Sequence, residues 1–365
     1  MRFVVAMDSF KGSLTSLEAG NAVKRGILRS CPGAGVTVIP LADGGEGTAG
    51  AIAQFAGGEE RVITVTGPLG DPVEASYILV PGTGTAYIEM AKTAGLTLLR
   101  EDQRDPYRTT TYGVGELMTD AVSNGAKELV ICIGGSSTND GGAGMLQALG
   151  AKLTGKDGSD IPFGCAGLKD LYQVDMSGLK LKDIPITACC DVDNPLCGKD
   201  GASFVYGPQK GASPEACAEM DGWLESYARL CGFDPYEKGT GAAGGMSFAL
   251  KNILGARTVP GAELVMKITG AEDLIRSCDI VVTGEGRMDS QTLNGKAPFK
   301  MMKLGREYNK PVYGITGMLG DGYEDCFAAG FERIVPLIRP SMQKDEAAKS
   351  AEDTAAALFA GMYQP

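Results

Sequence analysis

The chain has 365 residues, 44% of them apolar, and a formal net charge of −11 at pH 7. This length predicts two domains, and the charge argues against nucleic acid or an anionic membrane as the main partner. No apolar run approaches the roughly 20 residues of a membrane span. The first apolar run ends at Asp8, too early for a signal peptide. We therefore expect a cytoplasmic protein.

The chain contains no histidine. This excludes Ser-His and Cys-His nucleophile pairs, histidine bases and histidine metal ligands. The ten cysteines form no Cys-x-x-Cys pair, which argues against a zinc site. Chemistry must then rest on carboxylates, lysine, arginine, hydroxyls, main-chain donors or a hard metal ion held by oxygen. Phosphoryl transfer fits this inventory, because it depends mostly on positioning and charge neutralisation.

The N-terminal segment predicts a strand, a helix and a second strand. The first strand covers residues 3–7 and ends in the polar run Asp8-Ser9-Phe10-Lys11-Gly12-Ser13. A capping box, Thr15-Ser16-Leu17-Glu18, opens the helix. The second strand covers residues 36–40 and is followed by Asp43-Gly44-Gly45-Glu46-Gly47-Thr48.

The pattern changes near residue 60. Short strands at residues 61–66, 73–80 and 85–90 are separated by turns rich in glycine and proline, and the middle strand alternates with a period of two. This predicts an antiparallel meander at the start of a second domain. We expect one domain over residues 1–60 plus 265–365, and an inserted domain over residues 61–264.

The stretch from Leu129 to Leu149 is the most informative part of the chain. An apolar run that predicts a buried parallel strand is followed by Gly134-Gly135-Ser136-Ser137-Thr138-Asn139-Asp140-Gly141-Gly142 and a predicted helix over residues 143–149. Glycines let main-chain N–H groups approach a phosphate, and a helix N-terminus adds a favourable dipole. The stretch therefore indicates a site for a phosphorylated ligand.

The last half of the chain returns to strands with polar ends. Predicted strands at residues 184–190, 280–283, 312–316 and 334–338 precede a C-terminal helix, whereas residues 207–250 are expected to form glycine-rich polar loops. Ligands bind outside the carboxyl ends of strands in open α/β sheets. We therefore expect five polar strand ends to converge on one cleft.

Several short patterns leave alternatives open. Residues 45–50 and 239–244 match G-x-G-x-x-G, but neither has a clear ribose-binding acid about 20 residues later, and no P-loop motif is present. Asp191 and Asp193 suit Mg²⁺ or a general base, and equally suit a turn. Lys11 alone is typical of a surface lysine, and Arg287 with Lys296 is a weak signal for an anion clamp.

Seven ordered blocks nevertheless resemble the bacterial glycerate kinases of the glycerate 2-kinase type, over nearly the whole chain. The blocks are Asp8-Ser9-Phe10-Lys11-Gly12-Ser13-Leu14, Ala42-Asp43-Gly44-Gly45-Glu46-Gly47-Thr48, Gly134 to Gly144, Cys190-Asp191-Val192-Asp193-Asn194-Pro195-Leu196, Gly207-Pro208-Gln209-Lys210-Gly211-Ala212, Gly241-Ala242-Ala243-Gly244-Gly245 and Thr283-Gly284-Glu285-Gly286-Arg287-Met288-Asp289.

The resemblance implies an α/β fold of two domains with the active site in the cleft between them. One would be a Rossmann-like parallel α/β/α domain built from both chain ends, and the other an inserted α/β domain with a mixed sheet. It also implies ATP-dependent phosphorylation of D-glycerate to 2-phosphoglycerate, with Mg²⁺ as the partner of ATP. We expect small-molecule substrates alone, with no nucleic acid or membrane partner, and a monomer or homodimer.

On this resemblance we assign site residues by block. We assign binding of the nucleotide phosphates to Gly134, Gly135, Ser136, Ser137, Thr138 and Asn139. Substrate contacts fall to Ser9, Ser13, Gly45 and Arg287. Catalysis falls to Lys11, Asp191 and Asp193, and the two aspartates are also the candidate metal ligands.

Two rival functions remain open at this point. A kinase of a related small hydroxy acid or polyol, or one that yields 3-phosphoglycerate, would use the same scaffold. A non-catalytic sensor of a phosphorylated metabolite belongs to another class. Carboxylates among the glycine loops argue against the sensor, because aspartate beside a phosphate does not favour anion binding.

Overall fold

The computed structural model describes residues 1–10, 12–42, 47–181 and 183–362. Across those ranges, no helix combines the length and apolar sequence that a bilayer crossing demands. The strands, in chain order, are β1 (Arg2–Met7), β2 (Gly35–Val38), β3 (Glu59–Thr66), β4 (Pro72–Val80), β5 (Thr85–Glu89), β6 (Glu128–Cys132), β7 (Lys152–Thr154), β8 (Gln173–Asp175), β9 (Ile186–Cys189), β10 (Arg257–Val259), β11 (Ile280–Gly284), β12 (Arg287–Met288), β13 (Val312–Thr316), β14 (Met318–Leu319) and β15 (Arg333–Pro336).

The α-helices are α1 (Ser16–Ser30), α2 (Thr48–Ala56), α3 (Ala91–Ala94), α4 (Tyr112–Ser123), α5 (Ala143–Ala148), α6 (Ala202–Tyr206), α7 (Pro214–Leu230), α8 (Ala242–Phe248), α9 (Gly261–Ile268), α10 (Ala271–Ser277), α11 (Ala297–Glu307), α12 (Asp325–Ala329) and α13 (Lys344–Phe359). Short 3₁₀ segments lie at Leu96–Leu98, Glu101–Gln103, Cys165–Asp170, Pro208–Lys210 and Ser290–Asn294, and a π-helical turn lies at Ala249–Ile253.

The chain divides into two compact units. The first holds the described residues up to position 42, residues 50–56 and the described residues from 262 onward. The second holds residues 47–49 and 57–261. The first unit is therefore built from both ends of the chain, and the second is inserted between them.

The sheet of the first unit is parallel throughout, in the order β15-β13-β11-β1-β2. Its strand β1 is buried on both faces. Phe3, Val5 and Met7 pack in one core cluster with residues of α1 and α13, and Val4 and Ala6 pack in another with residues of α10 and α11. Burial on two faces explains why this strand is an unbroken apolar run rather than an alternating one.

Helix α1 begins at the predicted capping box. The Glu18 N–H donates to Thr15 Oγ1 at 3.3 Å, and the Thr15 N–H donates to Glu18 Oε2 at 3.0 Å. Each residue satisfies a donor that the first helical turn would leave without a partner. The predicted helix start is confirmed.

The sheet of the second unit is mixed, in the order β10-β9-β6-β5-β4-β3. Strand β4 runs antiparallel to both β3 and β5, so the predicted meander is confirmed. Strands β5, β6, β9 and β10 are parallel to one another. The whole is the two-domain α/β fold, with one parallel and one mixed sheet, that the sequence analysis expected.

The expectation of polar loops across residues 207–250 was wrong. Helix α7 covers 17 residues of this segment, with Ser213 as its N-cap and Pro214 in its first turn. Its buried side chains include Ala216, Met220 and Leu224, which recur at helical spacing. The glycines on either side of α7 dominate the composition of the segment. Composition alone therefore predicts loops and does not indicate the apolar stripe of α7.

The polar strand ends belong to two sheets. Those after β1 and β11 leave the parallel sheet of the first unit, and those after β6 and β9 leave the mixed sheet of the second. The polar block that follows β2 at residues 43–46 lies outside the described residues. Candidate residues therefore form two groups, one in each unit.

Candidate active site

In the first unit the candidate residues follow two neighbouring strands. Met7, the last residue of β1, lies opposite Gly284, the last residue of β11, and the Asp8 N–H donates to the Gly284 carbonyl at 2.8 Å. Because parallel strands end at the same edge of the sheet, the segments that follow them are neighbours. Ser9 and Arg287 are brought together in this way.

These segments line a cavity of about 450 Å³ within the first unit. Its polar lining includes Ser9, Ser13, Glu285, Arg287 and Lys296. The remaining wall is largely apolar, and its members are Phe10, Gly286, Gly317, Met318, Leu337, Pro340, Ser341 and Met342. Of the predicted substrate contacts, the structure places Ser9, Ser13 and Arg287 in one cavity, and adds Lys296 and Glu285 to them.

The charges of this cavity are paired. Arg287 Nε lies 3.1 Å from Asp289 Oδ2, and Lys296 Nζ lies 3.1 Å from Glu285 Oε2. The second oxygen of Glu285 accepts a hydrogen bond from Thr292 Oγ1 at 2.7 Å. Burial raises the pKa of Glu285, and the bond from Thr292 and the charge of Lys296 act against that rise. An anionic ligand would compete with these carboxylates for the two cations.

Two predicted residues of this group cannot be placed. Lys11 and Gly45 both lie outside the described residues. Phe10 and Ser13, on either side of Lys11, are described, and the Ser13 Oγ donates to the Phe10 carbonyl at 3.0 Å. The roles given to Lys11 and Gly45 therefore rest on the resemblance alone.

In the second unit the candidate residues follow β5, β6 and β9. Cys132 at the end of β6 lies opposite both Glu89 of β5 and Cys189 of β9. The loop of residues 134–142, here called the glycine-serine loop, leaves from the end of β6, and Asp191 leaves from just beyond β9. All therefore start from the same edge of the mixed sheet.

The side chains of the glycine-serine loop point inward. Ser137, Thr138 and Asn139 are buried, whereas Gly134 is half-buried and Gly135 is exposed. The Ser137 Oγ donates to the Ala94 carbonyl at 2.9 Å, and the Asn139 Nδ2 donates to Ser203 Oγ at 2.9 Å. These bonds fix the loop to the protein and occupy groups that the sequence analysis assigned to phosphate.

The exposed start of the loop offers main-chain donors. Within the described part of the chain, no hydrogen bond to another residue engages the N–H groups of Gly134, Gly135 and Ser136. Gly135 has a φ of 78°, a left-handed conformation that glycine adopts readily. Successive N–H groups in such a turn form an anion-binding concavity. The main chain at residues 134–136 is thus a candidate contact for a phosphate at the exposed start of the loop.

Asp140 organises the end of the loop. Its Oδ2 accepts hydrogen bonds from the Thr111 N–H, the Thr111 hydroxyl and the Gly144 N–H at 2.9, 2.9 and 3.2 Å. Its Oδ1 accepts from the Gly142 N–H at 3.1 Å. Burial raises the pKa of Asp140, and these four bonds oppose that rise. The N-terminus of α5, expected to face a phosphate, is instead capped by this carboxylate.

Lys210 lies beneath the middle of the loop and is 1% exposed. Its Nζ donates to Ser136 Oγ at 2.9 Å and to the Thr138 carbonyl at 2.6 Å. Burial lowers the pKa of Lys210 to about 7, and the charge of Asp140 acts in the opposite direction. Lys210 lies within one of the seven blocks, but its sequence context predicts no role for it.

Asp191 and Asp193 are both exposed and differ in their contacts. The Asp191 Oδ2 accepts a hydrogen bond from the Gly261 N–H at 3.1 Å. The main-chain carbonyl of Asp193 accepts from the Gly239 N–H at 3.0 Å. The carboxylate of Asp193 takes part in no hydrogen bond or ion pair with another described residue. A turn and an available carboxylate therefore coexist in this segment.

A family model of the glycerate kinase family matches residues 3–363. The chain belongs to the glycerate kinase family. Among its relatives, "Glycerate kinase" of Halalkalibacterium halodurans is 43% identical over 96% of this chain and 94% of its own length. "Glycerate 2-kinase" of Escherichia coli is 43% identical over 97% of this chain and 94% of its own length.

A solved structure agrees with these relatives. A crystal structure assigned to glycerate kinase 2 of Salmonella typhimurium LT2 superposes with a TM-score of 0.89 and is 41% identical, covering 99% of this chain and 98% of its own. As a member of the glycerate kinase family, the protein is a kinase and takes its phosphoryl group from ATP. The predicted family, fold class and enzyme class are confirmed.

The glycerate kinase blocks contain residues whose importance only the structure reveals. Asp140, Lys210 and Glu285 are buried and charged, a combination that is costly unless each charge is compensated. A sequence signal existed for Lys210, since it stands between glycines in an otherwise small and polar block. Sequence position could not show that its ammonium group reaches a loop more than 70 residues earlier.

The described residues contain no cluster of three or more acidic, cysteine or histidine side chains that could hold a metal ion. Mg²⁺ that accompanies ATP needs fewer protein ligands, because phosphate oxygens and water complete its octahedral shell. One or two carboxylates suffice, and Asp191 and Asp193 are the exposed carboxylates to which the sequence prediction gives this role. Two such carboxylates suit a nucleotide-borne Mg²⁺ rather than a fully protein-enclosed one.

Proposed function

We propose that the protein transfers the terminal phosphoryl group of ATP to D-glycerate and releases 2-phosphoglycerate and ADP. The observation that carries this proposal is the cavity of the first unit, which joins two cations, Arg287 and Lys296, to the hydroxyls of Ser9 and Ser13. A small hydroxy acid presents a carboxylate and hydroxyls, which such groups recognise.

We further propose that the nucleotide phosphates bind the main chain of residues 134–136. Their N–H groups have no hydrogen-bond partner among the described residues and lie at the exposed start of the glycine-serine loop, whereas the side chains of residues 137–139 are buried. Mg²⁺ would be held by the phosphates together with Asp191, and its chemistry there is the neutralisation of phosphate charge.

Asp193 is our candidate for the general base. In the proposed reaction the glycerate hydroxyl oxygen attacks the terminal phosphorus, the bond from that phosphorus to ADP breaks, and the hydroxyl proton passes to the Asp193 carboxylate. Asp191 is less suited, because its Oδ2 already accepts a hydrogen bond from Gly261. Lys11 is retained from the family resemblance as a group that neutralises charge on the transferred phosphoryl group or the substrate carboxylate.

A turnover assay tests the proposal. Purified protein with ATP, Mg²⁺ and D-glycerate should yield 2-phosphoglycerate by ³¹P NMR, and excess EDTA should stop turnover. Tartronate and glycerol, offered in place of glycerate, test the related-acceptor alternative. The appearance of 3-phosphoglycerate would correct the position of transfer, and ligand binding without any turnover would favour a sensor instead.

Variants then separate the proposed roles. We expect Asp193→Asn to lower kcat by about 10²-fold or more with little change in KM, because the base is used only in the chemical step.

We expect Lys11→Ala to lower kcat/KM on the order of 10²-fold, as loss of one electrostatic donor does. Asp234→Asn, which alters another exposed aspartate, serves as the control and should leave turnover unchanged.

Two further predictions concern the whole protein and stand as proposals. We expect it in the cytoplasm, where its substrates would be found, and as a monomer or homodimer. Cell fractionation tests the first and sedimentation of the purified protein tests the second.

A further inference from the structure

Lys210 is a fully buried lysine whose charge is not neutralised by a direct ion pair within the described part of the chain. Its ammonium group donates to one hydroxyl, Ser136 Oγ, and one carbonyl, that of Thr138. Burying an ammonium group costs several kcal/mol unless hydrogen bonds and opposite charge compensate. A neutral side chain could fill this space at a lower cost in folding free energy. A functional reason for a lysine at this position is therefore expected.

The loop that Lys210 contacts is fixed from behind. The Thr138 carbonyl that accepts from Lys210 also lies against Gly244, where an added Cβ would come within 2.0 Å of that oxygen. The Gly141 N–H donates to the Gly244 carbonyl at 2.9 Å, and Asp140 holds the following turn. Residues 136–141 therefore have little freedom to rearrange when a ligand arrives.

The front of the same loop is where an anion can bind. Residues 134–136 present main-chain N–H groups that no other described residue engages, and Gly135 is exposed. Lys210 bonds directly to Ser136, the last of these three residues. A charge held in a low-dielectric interior acts on a nearby ligand more strongly than the same charge in water. In its protonated form the buried ammonium therefore adds positive potential near the N–H groups of residues 134–136, and a polyphosphate bound there would in turn favour that protonated form.

We propose that Lys210 is a positioning residue of the nucleotide site, which fixes residues 136–138 and whose buried charge favours a polyphosphate at the N–H groups of residues 134–136. The inference rests on the proposed assignment of ATP phosphates to this loop. It adds a residue that touches no substrate. We expect substitution of Lys210 to weaken the binding of ATP and to leave both the binding of glycerate and the chemical step unchanged.

Two substitutions separate the charge of Lys210 from its hydrogen bonds. Lys210→Gln removes the charge and keeps an N–H donor, and Lys210→Met removes both. By isothermal titration with MgATP, we expect Lys210→Gln to raise Kd at least ten-fold and Lys210→Met to raise it at least as much. Steady-state kinetics should show a matching rise in KM for ATP, with KM for glycerate and kcat within two-fold of the parent values.

Two further variants complete the test. Ser136→Ala removes one acceptor of Lys210 and should raise the Kd for MgATP two- to five-fold, which keeps the proposal testable if a Lys210 variant does not fold. Lys251→Met is the control, since Lys251 is a partly exposed lysine of the same unit, paired with Glu237 at 2.7 Å. It should leave the Kd unchanged.

The outcomes are distinct from those of the turnover assay. A folded Lys210→Gln protein with the parent Kd for MgATP overturns the inference, as do equal losses for ATP and glycerate, which indicate a general structural role. If Lys210→Met and Lys210→Gln do not fold and Ser136→Ala binds MgATP as the parent does, the inference is also overturned. If the parent protein binds MgATP but never phosphorylates glycerate, the proposed function is contradicted. The titrations with MgATP then decide the role of Lys210 independently.

Discussion

Asp140 illustrates how a buried charge is used at the scale of one residue. It accepts four hydrogen bonds, three of them from main-chain N–H groups of Thr111, Gly142 and Gly144. A carboxylate is the side chain that can accept from so many donors at once without presenting a hydrogen of its own. Its role is to fix the end of the glycine-serine loop.

We therefore expect Asp140→Asn to destabilise the protein despite its near-identical shape. The amide NH₂ group would face at least one of these buried N–H donors, and an unsatisfied buried donor costs about 1–3 kcal/mol. Differential scanning calorimetry should show a lower Tm. Asp234→Asn, at an exposed position, should stay within about 0.5 kcal/mol of the parent. Equal Tm values for the two variants would contradict the role given to Asp140.

At the scale of elements, helices α1 and α13 pack closely against each other. A Cβ added to Gly26 of α1 would lie 2.1 Å from the Glu352 carbonyl oxygen of α13. The helices meet there without an intervening side chain, and ion pairs from Arg25 and Arg29 to Glu352 lie beside the contact. Glycine is required at this position by the close approach of the two helices.

A pair of glycine substitutions tests this packing. Gly26→Ala should lower the Tm, because backbone atoms cannot yield easily and overpacking costs about 1–3 kcal/mol. Gly222→Ala in α7 is the matched control, since an added Cβ there meets nothing within 4 Å. That variant should gain up to about 1 kcal/mol from helix propensity. A rise in Tm for both variants would show that α1 and α13 can move apart freely.

At the scale of the whole molecule, the proposed ligands are divided between two units of different architecture. The parallel sheet carries the cavity with Arg287 and Lys296, and the mixed sheet carries the glycine-serine loop with Lys210. Phosphoryl transfer requires ligands of both kinds to be bound at once. Each unit can therefore be examined through the ligand assigned to it.

Amide hydrogen exchange with single ligands tests this division. MgATP alone should slow exchange at residues 134–140, and glycerate alone should slow exchange around Ser9, Ser13 and residues 285–289, because bound ligands stabilise the segments they contact. The helix α7 serves as an internal reference that neither ligand is expected to alter. Protection by ATP in the first unit, with none at residues 134–140, would overturn the assignment of the phosphates.

Much of the fold could be predicted because its signals are local. Strand β13 was predicted at its observed residues, and the capping box marked the start of α1 at Thr15. Burial on two faces made β1 and β6 visible as apolar runs. The glycine-rich composition of residues 207–250 predicts loops, whereas the helical spacing of Ala216, Met220 and Leu224 indicates the buried face of α7.

The sequence by itself determined most of the elements, the family and the segments that carry polar residues, because these depend on local spacing and on ordered motifs. The tertiary structure alone decided which polar groups face a ligand. In the folded protein the side chains of Ser137, Thr138 and Asn139 are buried, the N–H groups of residues 134–136 have no hydrogen-bond partner among the described residues, and Lys210 bonds to Ser136 and Thr138. The physical reason is that a side chain's direction and burial depend on contacts with residues far along the chain, which no local pattern records.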